Sequence, residues 1–297
     1  MITKENDTQM SKTSSKSSVL YYTTFLIILK FLLILFLFLL YITIIYLKME
    51  SEYEEKIINK ILKENRMNHI MITAHSGCDG TPENSLAFIE KGIALGADCV
   101  EIDLRLDQDG KLWLSHEIPQ NFSGLTSLEE AFALIQKSGI AVNCDLKEYE
   151  ALKPALDLAE KYNISSDQLI FSGSVDTKLL EKEPEISLRS KIFLNSEELV
   201  KDLIKRELPD REHQTAFLLE NASMVAKRLH ALGATALNAP YKYTPDELIN
   251  KMRARNVEVS LWTINEEVPL REFMKKDLIN ITTRNVSLAL KVRNEIK

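Results

Sequence analysis

Apolar residues follow two different patterns along this chain. From residue 19 to residue 47 they form an almost continuous run in which Lys30 is the single charged residue. About 20 residues of helix cross the apolar core of a bilayer, so this run predicts one N-terminal transmembrane helix. The flanking residues predict a flexible tail over 1–18 and an amphipathic spacer helix over 48–66.

A cleaved secretory signal is the alternative interpretation of the apolar run. The apolar part of such a signal is usually about 7 to 15 residues long and is followed by small residues at the cleavage site. Here the run is longer and continues into the charged sequence YLKMESEYEEK. We therefore expect a single-pass membrane anchor. The short leading tail and the large trailing domain favour a catalytic domain on the extracytoplasmic side, whereas the lysine and arginine counts favour neither side.

Short apolar runs alternate with amphipathic segments in residues 67–297. This alternation predicts an α/β protein with parallel strands and crossover helices. Its eight units predict a (β/α)8 TIM barrel, a fold of about 250 residues. A doubly wound open sheet is the alternative, but no G-x-G-x-x-G motif follows a predicted strand. The predicted strands are 69–74, 99–104, 140–145, 169–172, 191–194, 235–238, 257–262 and 278–282, and the predicted helices are 83–95, 127–137, 152–162, 177–182, 197–206, 222–232, 246–255, 270–276 and 286–297.

Composition and charge exclude several functional classes. Three cysteines in 297 residues exclude a disulfide framework. Residues 1–48 carry five lysines and two acids, a net charge of +3. Because the whole chain has a net charge of −6, residues 49–297 have a net charge of −9. Such an acidic domain repels polyanions, and we expect no nucleic-acid partner.

Acidic and histidine residues recur where the predicted strands end. His75 follows the first strand, and Glu101 and Asp103 share one face of the second. The sequence DQDG at 107–110 predicts a hairpin turn that leads to His116, and the third strand ends with Asp145 and, two residues later, Lys147. In a barrel of this type, reactive side chains lie at the C-terminal ends of the strands.

Converging carboxylates repel one another unless a cation lies between them. Oxygen ligands suit a divalent metal such as Mg²⁺ or Ca²⁺. Two histidines beside such a metal form a general acid and base pair, because imidazole titrates near neutral pH. Lys147 adds a positive charge for an anion. This combination favours a hydrolase of phosphate esters.

Residues 74–117, AHSGCDGTPENSLAFIEKGIALGADCVEIDLRLDQDGKLWLSHE, resemble the glycerophosphodiester phosphodiesterase family. The shared motifs are His-x-Gly, Pro-Glu-Asn, Gly-Ala-Asp, Glu-x-Asp and a terminal His. Weaker similarity in CDLK at 144–147 and LWTIN at 261–265 extends the resemblance over about residues 69–285.

The resemblance implies a (β/α)8 barrel that cleaves a glycerophosphodiester, or a related substrate derived from phospholipid, to glycerol phosphate and an alcohol. It implies a divalent metal, Mg²⁺ or Ca²⁺, held by Glu101, Asp103 and Asp145, and catalysis by His75 and His116. We expect four further residues to contribute to substrate binding: Lys147, Glu83, Trp262 and Arg284. Glu83 matches the glutamate of the Pro-Glu-Asn motif, which supports the first histidine or the metal, and Trp262 is expected to pack against the glycerol carbons.

Three positions depart from the family pattern. Ser76 stands where the family usually has a phosphate-binding Arg, Asp145 is one methylene shorter than the usual Glu, and Arg284 lies where a late Asp is usual. We hypothesise that Arg284 or Lys147 supplies the charge that position 76 lacks. Ser76 also motivates one alternative function, a catalytically weakened barrel that acts as a binding or regulatory protein. The predicted anchor motivates another, a phospholipase D-like enzyme that acts on membrane lipid.

Overall fold

The computed structural model describes residues 70–296 together with residues 30, 32–33, 36–37 and 39–50. The chain divides into two compact units, Met1–Leu62 and Lys63–Lys297. The predicted tail over 1–18, residues 19–29 of the predicted membrane segment and residues 51–66 of the predicted spacer lie outside the described residues. Residues 39–50 are helical, but no helix in the described part of the chain combines the length and apolar character needed to cross a bilayer.

Eight parallel strands of the second unit close into a barrel, which confirms the predicted (β/α)8 architecture. Their order is β1, β9, β8, β7, β6, β5, β4 and β2, and β2 pairs back with β1. A further short strand, β3, pairs antiparallel with β2 across the predicted hairpin turn, where Gly110 has φ of 80°. The bounds are β1 Met71–Ala74, β2 Cys99–Leu106, β3 Leu112–Leu114, β4 Ala141–Leu146, β5 Leu169–Gly173, β6 Lys191–Asn195, β7 Ala236–Pro240, β8 Glu258–Trp262 and β9 Asn280–Thr283.

Helices follow the strands and pack around the barrel. Within residues 70–296 they are α1 Leu86–Leu95, α2 Leu128–Ser138, α3 Leu152–Lys161, α4 Thr177–Lys182, α5 Ile186–Arg189, α6 Ser196–Ile204, α7 Arg211–Glu220, α8 Ala222–Ala231, α9 Asp246–Arg253, α10 Glu267–Phe273 and α11 Val286–Ile296.

Four helices differ from the prediction. Helix α1 begins at Leu86, three residues after its predicted start. The short helix α5 and the helix α7 were not predicted, because α7 lies in a mostly polar stretch with a weak apolar periodicity. Its start has a local signal, since the carboxylate of Asp210 accepts a hydrogen bond from the backbone N–H of His213. Helix α10 begins three residues before the predicted start, with Pro269 in its first turn. Proline is tolerated there because the first N–H groups of a helix have no partner within the helix.

The barrel interior is layered, because alternate residues of each strand point inward. Near the N-terminal ends of the strands, four inward residues form a small apolar cluster: Cys99, Ile170, Phe193 and Ala236. The residues two positions further along the same strands are polar: Glu101, Ser172, Asn195 and Asn238. The C-terminal end of the barrel is therefore the polar end, where a site for a charged ligand can form.

Candidate active site

Three carboxylates converge at the C-terminal end of the barrel. Glu101 and Asp103 lie two residues apart on β2, and Asp145 on β4 is paired in register with Asp103. Because alternate residues share a face, Glu101 and Asp103 both point into the barrel. One oxygen of each carboxylate lies within 4.8 Å of the others. The structure thus brings together the three acids that the sequence analysis proposed as metal ligands.

Hydrogen bonds hold two of the three carboxylates in place. Asn84 donates its Nδ2–H to Asp103 Oδ2 over 2.8 Å and accepts the Asp103 backbone N–H over 3.1 Å. Asn84 has a left-handed backbone, with φ of 50°, which asparagine tolerates better than most residues. Ser172 donates its hydroxyl to Asp145 Oδ1 over 2.9 Å. Neither Asn84 nor Ser172 was predicted to have a role, although Asn84 belongs to the Pro-Glu-Asn motif.

Lys147 lies between two of these acids. Its Nζ is 2.7 Å from Asp103 Oδ1 and 2.5 Å from Asp145 Oδ2. Burial lowers the pKa of Lys147, but the two carboxylates outweigh this effect and raise it overall. Burial raises the pKa of Asp103, but the charge and hydrogen bond of Lys147, together with a hydrogen bond from Asn84, lower it overall. Lys147 is therefore a charged lysine that neutralises carboxylates of the cluster.

Glu101 carries the electrostatic cost of this arrangement. Its burial, followed by the charges of Asp145 and Asp103, raises the pKa of Glu101 well above its usual range. A divalent cation between the three groups would favour the ionised form of each. Three clustered carboxylates are oxygen donors of the kind that Mg²⁺ and Ca²⁺ prefer, so the residues present fit the metal that the family resemblance implies.

Gly173, at the end of β5, allows a close approach to Asp145. Its φ is +76°, and a Cβ atom there would lie 2.3 Å from the carbonyl oxygen of Leu146 and 2.6 Å from Asp145 Oδ1. Real Cβ atoms do not approach other atoms this closely. A larger residue at position 173 would therefore displace a carboxylate of the cluster.

His75 lies beside the cluster and beside Arg284. Its Nε2 is 3.9 Å from Glu101 Oε1. Its Nδ1 is 3.0 Å from the carbonyl oxygen of Ser76 and 3.1 Å from Arg284 Nε. Burial lowers the pKa of His75, the Ser76 carbonyl opposes this effect, and the charge of Arg284 lowers it further. The neutral form of His75 is therefore favoured.

Arg284 also links His75 to Glu83. Its Nη2 is 2.8 Å from Glu83 Oε1, so Glu83 contacts the histidine through the guanidinium and lies outside the carboxylate cluster. Ser76 is buried, 2% exposed, and its Oγ accepts the backbone N–H of Asn84 over 2.7 Å. The charge near His75 thus comes from the end of β9, where the sequence analysis noted Arg284.

His116 follows strand β3 and is exposed. Its Nδ1 is 2.8 Å from Glu117 Oε1, and its side chain is 58% exposed. Arg105 donates Nη2–H to the backbone carbonyl of His116 over 2.7 Å and pairs with Glu148 over 2.8 Å. These contacts fix the backbone at His116, while its ring stays accessible at the rim of the cavity.

A cavity of about 290 Å³ connects these groups to a second set of residues. The carboxylates, both histidines and Lys147 lie along it, together with the predicted Trp262. Further lining residues that the sequence analysis did not single out include Ser172, Gly173, Asn195, Glu197, Glu198 and Asn238. The ends of seven barrel strands and the β3 segment thus contribute to one cavity.

Comparison with known proteins supports the same interpretation. The model of the glycerophosphoryl diester phosphodiesterase family matches residues 75–285. Over 225 residues the chain is 26% identical to YqiK, an uncharacterised protein of Bacillus subtilis, covering 69% of this chain and 90% of that protein. Over 242 residues it is 22% identical to a glycerophosphodiester phosphodiesterase of Caldanaerobacter subterraneus, covering 72% of this chain and 93% of that protein.

Solved structures show the same fold. A phosphodiesterase of Oleispira antarctica, in complex with the product sn-glycerol-3-phosphate, superposes with a TM-score of 0.59 at 18% identity. The match covers 75% of this chain and 96% of that one. At this identity the likeness concerns the barrel itself.

Proposed function

The chain belongs to the glycerophosphoryl diester phosphodiesterase family, and we propose that it hydrolyses glycerophosphodiesters to glycerol phosphate and an alcohol. The observation that carries the proposal is the cluster of Glu101, Asp103 and Asp145 in one cavity with two histidines. A metal ion held by the carboxylates suits the phosphate of a diester. The two histidines suit proton transfer from the attacking hydroxyl and to the leaving alkoxide. The Oleispira antarctica phosphodiesterase was solved in complex with its product sn-glycerol-3-phosphate, and this product agrees with the proposed substrate class.

We propose that the three carboxylates hold one Mg²⁺ or Ca²⁺ ion. When bound, the ion supplies a positive charge that polarises the phosphate oxygens and offsets their negative charge. The charge and hydrogen bond of Lys147 favour the ionised form of Asp103, and the same ammonium group also donates to Asp145. Arg284 places a second positive charge beside His75, and its side chain is 46% exposed, so it is accessible to a phosphate.

The surroundings of the two histidines favour different roles. His75 is the proposed base: its lowered pKa favours the neutral ring. In the tautomer that donates Nδ1–H to the Ser76 carbonyl, rather than the one that accepts Nε–H from Arg284, the Nε2 lone pair is free. His116 is the proposed acid. The carboxylate of Glu117 accepts the Nδ1–H of His116 and orients the ring, so that a protonated His116 can give its Nε2–H to the leaving alkoxide. The attacking hydroxyl belongs to water, which gives glycerol phosphate directly, or to the glycerol itself, which gives a cyclic phosphate that water then opens.

The test is glycerol phosphate release by the full chain in detergent. We expect release from glycerophosphodiesters with Mg²⁺ or Ca²⁺, and none with EDTA. His116→Ala should lower kcat by about 10²- to 10⁴-fold. His230→Ala is the matched control, because His230 is an exposed histidine of α8 that contacts the Arg255 carbonyl. Absence of release from every diester would favour the binding or regulatory alternative, and release from bilayer lipid alone would favour the phospholipase.

We also propose that residues 19–47 anchor the enzyme in a membrane with the barrel on the extracytoplasmic side. Leu39 is 55% exposed and Leu47 is 57% exposed in the described helical residues before position 50. Exposed leucines such as these are consistent with an apolar environment around this segment. Carbonate extraction of membranes should retain the full chain and release a chain that lacks residues 1–48. Protease treatment of intact cells should digest the barrel. Release of the full chain by carbonate would contradict the anchor, and protection of the barrel would contradict the proposed side.

A further inference from the structure

One part of the cavity is not used by the proposed catalytic steps. It is formed by Asn195 at the end of β6, Glu197 in α6, Asn238 on β7 and Trp262 at the end of β8. A phosphodiester carries an alcohol on each side of its phosphate, so a second subsite is required beside the phosphate site. The side chains of this part determine which alcohol it accepts.

A chain of hydrogen bonds inside the barrel orients the amide groups of this subsite. Thr73 Oγ1 donates to Asn280 Oδ1 over 2.7 Å, and Asn280 Nδ2 donates to Ser260 Oγ over 3.0 Å. Ser260 Oγ then donates to Asn238 Oδ1 over 2.8 Å, and Asn238 Nδ2 donates to Asn195 Oδ1 over 2.7 Å. Glu197 Oε1, beside Asn195, fixes the direction of these hydrogen bonds, because the reverse direction would turn Asn195 Oδ1 toward a carboxylate oxygen, which accepts.

With this direction, the Nδ2 group of Asn195 is the last donor in the series of hydrogen bonds. It lies 3.5 Å from Glu197 Oε1, and the Asn195 side chain therefore offers N–H donors at the cavity. Because the chain connects four neighbouring strands with β1, the amide is held rigidly. A rigid donor recognises a ligand hydroxyl at low cost in conformational entropy.

Glu197 is neutralised by an arginine from the unpredicted helix α7. Arg211 Nη1 is 2.6 Å from Glu197 Oε2, and Arg211 Nη2 is 3.2 Å from Glu197 Oε1. The guanidinium carbon lies 5.8 Å from the ring centroid of Trp262. Both charged side chains keep partial exposure, 32% for Arg211 and 27% for Glu197. The pair therefore offers donors and acceptors without an excess of charge.

The other acid at this part of the cavity is also paired. Glu198 Oε2 accepts the hydroxyl of Tyr149 over 2.7 Å, and Lys201 Nζ is 3.4 Å from that hydroxyl oxygen. A cationic alcohol such as choline or ethanolamine would need an uncompensated carboxylate or an open aromatic face. Here an arginine lies over Trp262 and a lysine lies near Glu198.

We propose that Asn195, Glu197 and Arg211 form a subsite for a neutral polyol alcohol of the diester, and that Trp262 packs against the carbon atoms of this polyol. The inference rests on the proposed phosphodiesterase function and deepens it. Adjacent carboxylate, guanidinium and amide groups match the donor and acceptor pattern of neighbouring hydroxyl groups. A cavity of about 290 Å³ suits a small head group such as glycerol or inositol and not a diacyl lipid.

The test compares two substrates with the full chain in detergent micelles and saturating Mg²⁺ or Ca²⁺. We expect kcat/KM for glycerophosphoglycerol to exceed that for glycerophosphocholine by more than about 10-fold. Glu197→Gln and Arg211→Met should each lower kcat/KM for glycerophosphoglycerol by about 10-fold or more and change that for glycerophosphocholine by less than about 3-fold. The preference between the substrates, rather than activity alone, reports the subsite.

Arg271→Met and Glu295→Gln are the matched controls. Arg271 and Glu295 form an arginine–glutamate pair on the helices α10 and α11, and Nη2 of Arg271 is 2.5 Å from Glu295 Oε2. Both controls should leave the substrate preference unchanged. If Arg211→Met does not fold, as judged by circular dichroism, Glu197→Gln decides, because this variant keeps the shape of the side chain.

Three results would overturn the subsite: equal kcat/KM for both substrates in the wild type, equal loss on both substrates in the variants, or a preference for glycerophosphocholine. The last would indicate a subsite for a cationic alcohol. Absence of turnover with every diester would instead contradict the proposed function. Calorimetric titration of unreacted glycerophosphoglycerol would then decide the subsite: about 10-fold weaker binding to Glu197→Gln would support it, and equal binding would overturn it.

Discussion

Asn84 and Asp103 exchange two hydrogen bonds across 19 residues of sequence. The amide Nδ2–H of Asn84 binds the carboxylate of Asp103, and the backbone N–H of Asp103 binds Asn84 Oδ1. Side-chain and backbone orientation of a proposed metal ligand are thus set by one residue. Groups that orient metal ligands contribute strongly to metal affinity.

Removal of this pair should weaken metal binding. We expect Asn84→Ala to lower the affinity for Mg²⁺ or Ca²⁺ by about 10- to 100-fold, because Asp103 loses its orientation. The measurement is calorimetric titration of metal-free protein. Asn163→Ala is the control, because Asn163 has a similar left-handed φ of 55° outside the site, so it reports the backbone effect alone. Equal metal affinity in the wild type and Asn84→Ala would contradict the role of Asn84.

The closeness of Gly173 to Asp145 predicts a large effect of one methyl group. Gly173→Ala combines an unfavourable φ of +76° with a Cβ that would lie 2.3 Å from a carbonyl oxygen. The strain of the left-handed backbone costs about 1 to 2 kcal/mol, and the overlap adds about 1 to 3 kcal/mol. The measurement is urea unfolding. Gly124→Ala is the control, since it has φ of +80° and no described atom within 4 Å of the added Cβ. The two variants should differ by the overlap, and equal destabilisation would exclude it.

Arg284 should control the acidic limb of the pH profile. Burial is the main cause of the lowered pKa of His75, and the positive charge of Arg284 lowers it further. Arg284→Ala removes that charge and raises the pKa of His75. A base must be deprotonated to act, so the acidic limb of kcat/KM should move to higher pH.

The same variant should lower kcat/KM at its optimum by at least about 10-fold, since a charged contact to the phosphate is lost. Arg284→Lys should restore part of both effects, and Arg271→Met should change neither. An unchanged pH profile and unchanged substrate affinity in Arg284→Ala would remove Arg284 from the site.

Asp202 should make the free energy of unfolding decrease at acidic pH. Burial raises the pKa of this carboxyl, but hydrogen bonds from Arg228, Thr177 and Lys205 outweigh it and lower the pKa below its usual range. A group with a depressed pKa stabilises the fold above its unfolded pKa and loses this contribution as the pH falls through its folded pKa. Urea unfolding of the wild type and Asp202→Asn should therefore differ most near neutral pH and converge below pH 3.8. A constant difference at every pH would contradict this assignment.

Local sequence was sufficient to predict the barrel and much of the site. The alternation of apolar runs and amphipathic segments gave eight strands close to their observed bounds, because a buried parallel strand and its covering helix each have a distinct apolar pattern. Period two placed Glu101 and Asp103 on one face without reference to any other strand. Helix α7 was missed because its apolar periodicity is weak and its start depends on one capping carboxylate.

The charged residues of the site were named from the sequence, but the contacts between them were not. Lys147 was expected to bind an anion, and in the structure it donates to Asp103 and Asp145. Glu83 was expected to support a histidine or the metal, and it contacts His75 through Arg284. The partner of a long charged side chain depends on which groups the fold brings within hydrogen-bonding distance. Local sequence does not specify these distances.

By itself the sequence determined the barrel, its polar C-terminal end and the residues able to hold a metal and move protons. Those properties follow from strand periodicity and residue chemistry, which are local. Only the tertiary structure decided that Arg284 meets His75 from 209 residues away and that Arg211 neutralises Glu197 over Trp262. Barrel closure and helix packing create these contacts, because they bring together side chains that are far apart along the chain.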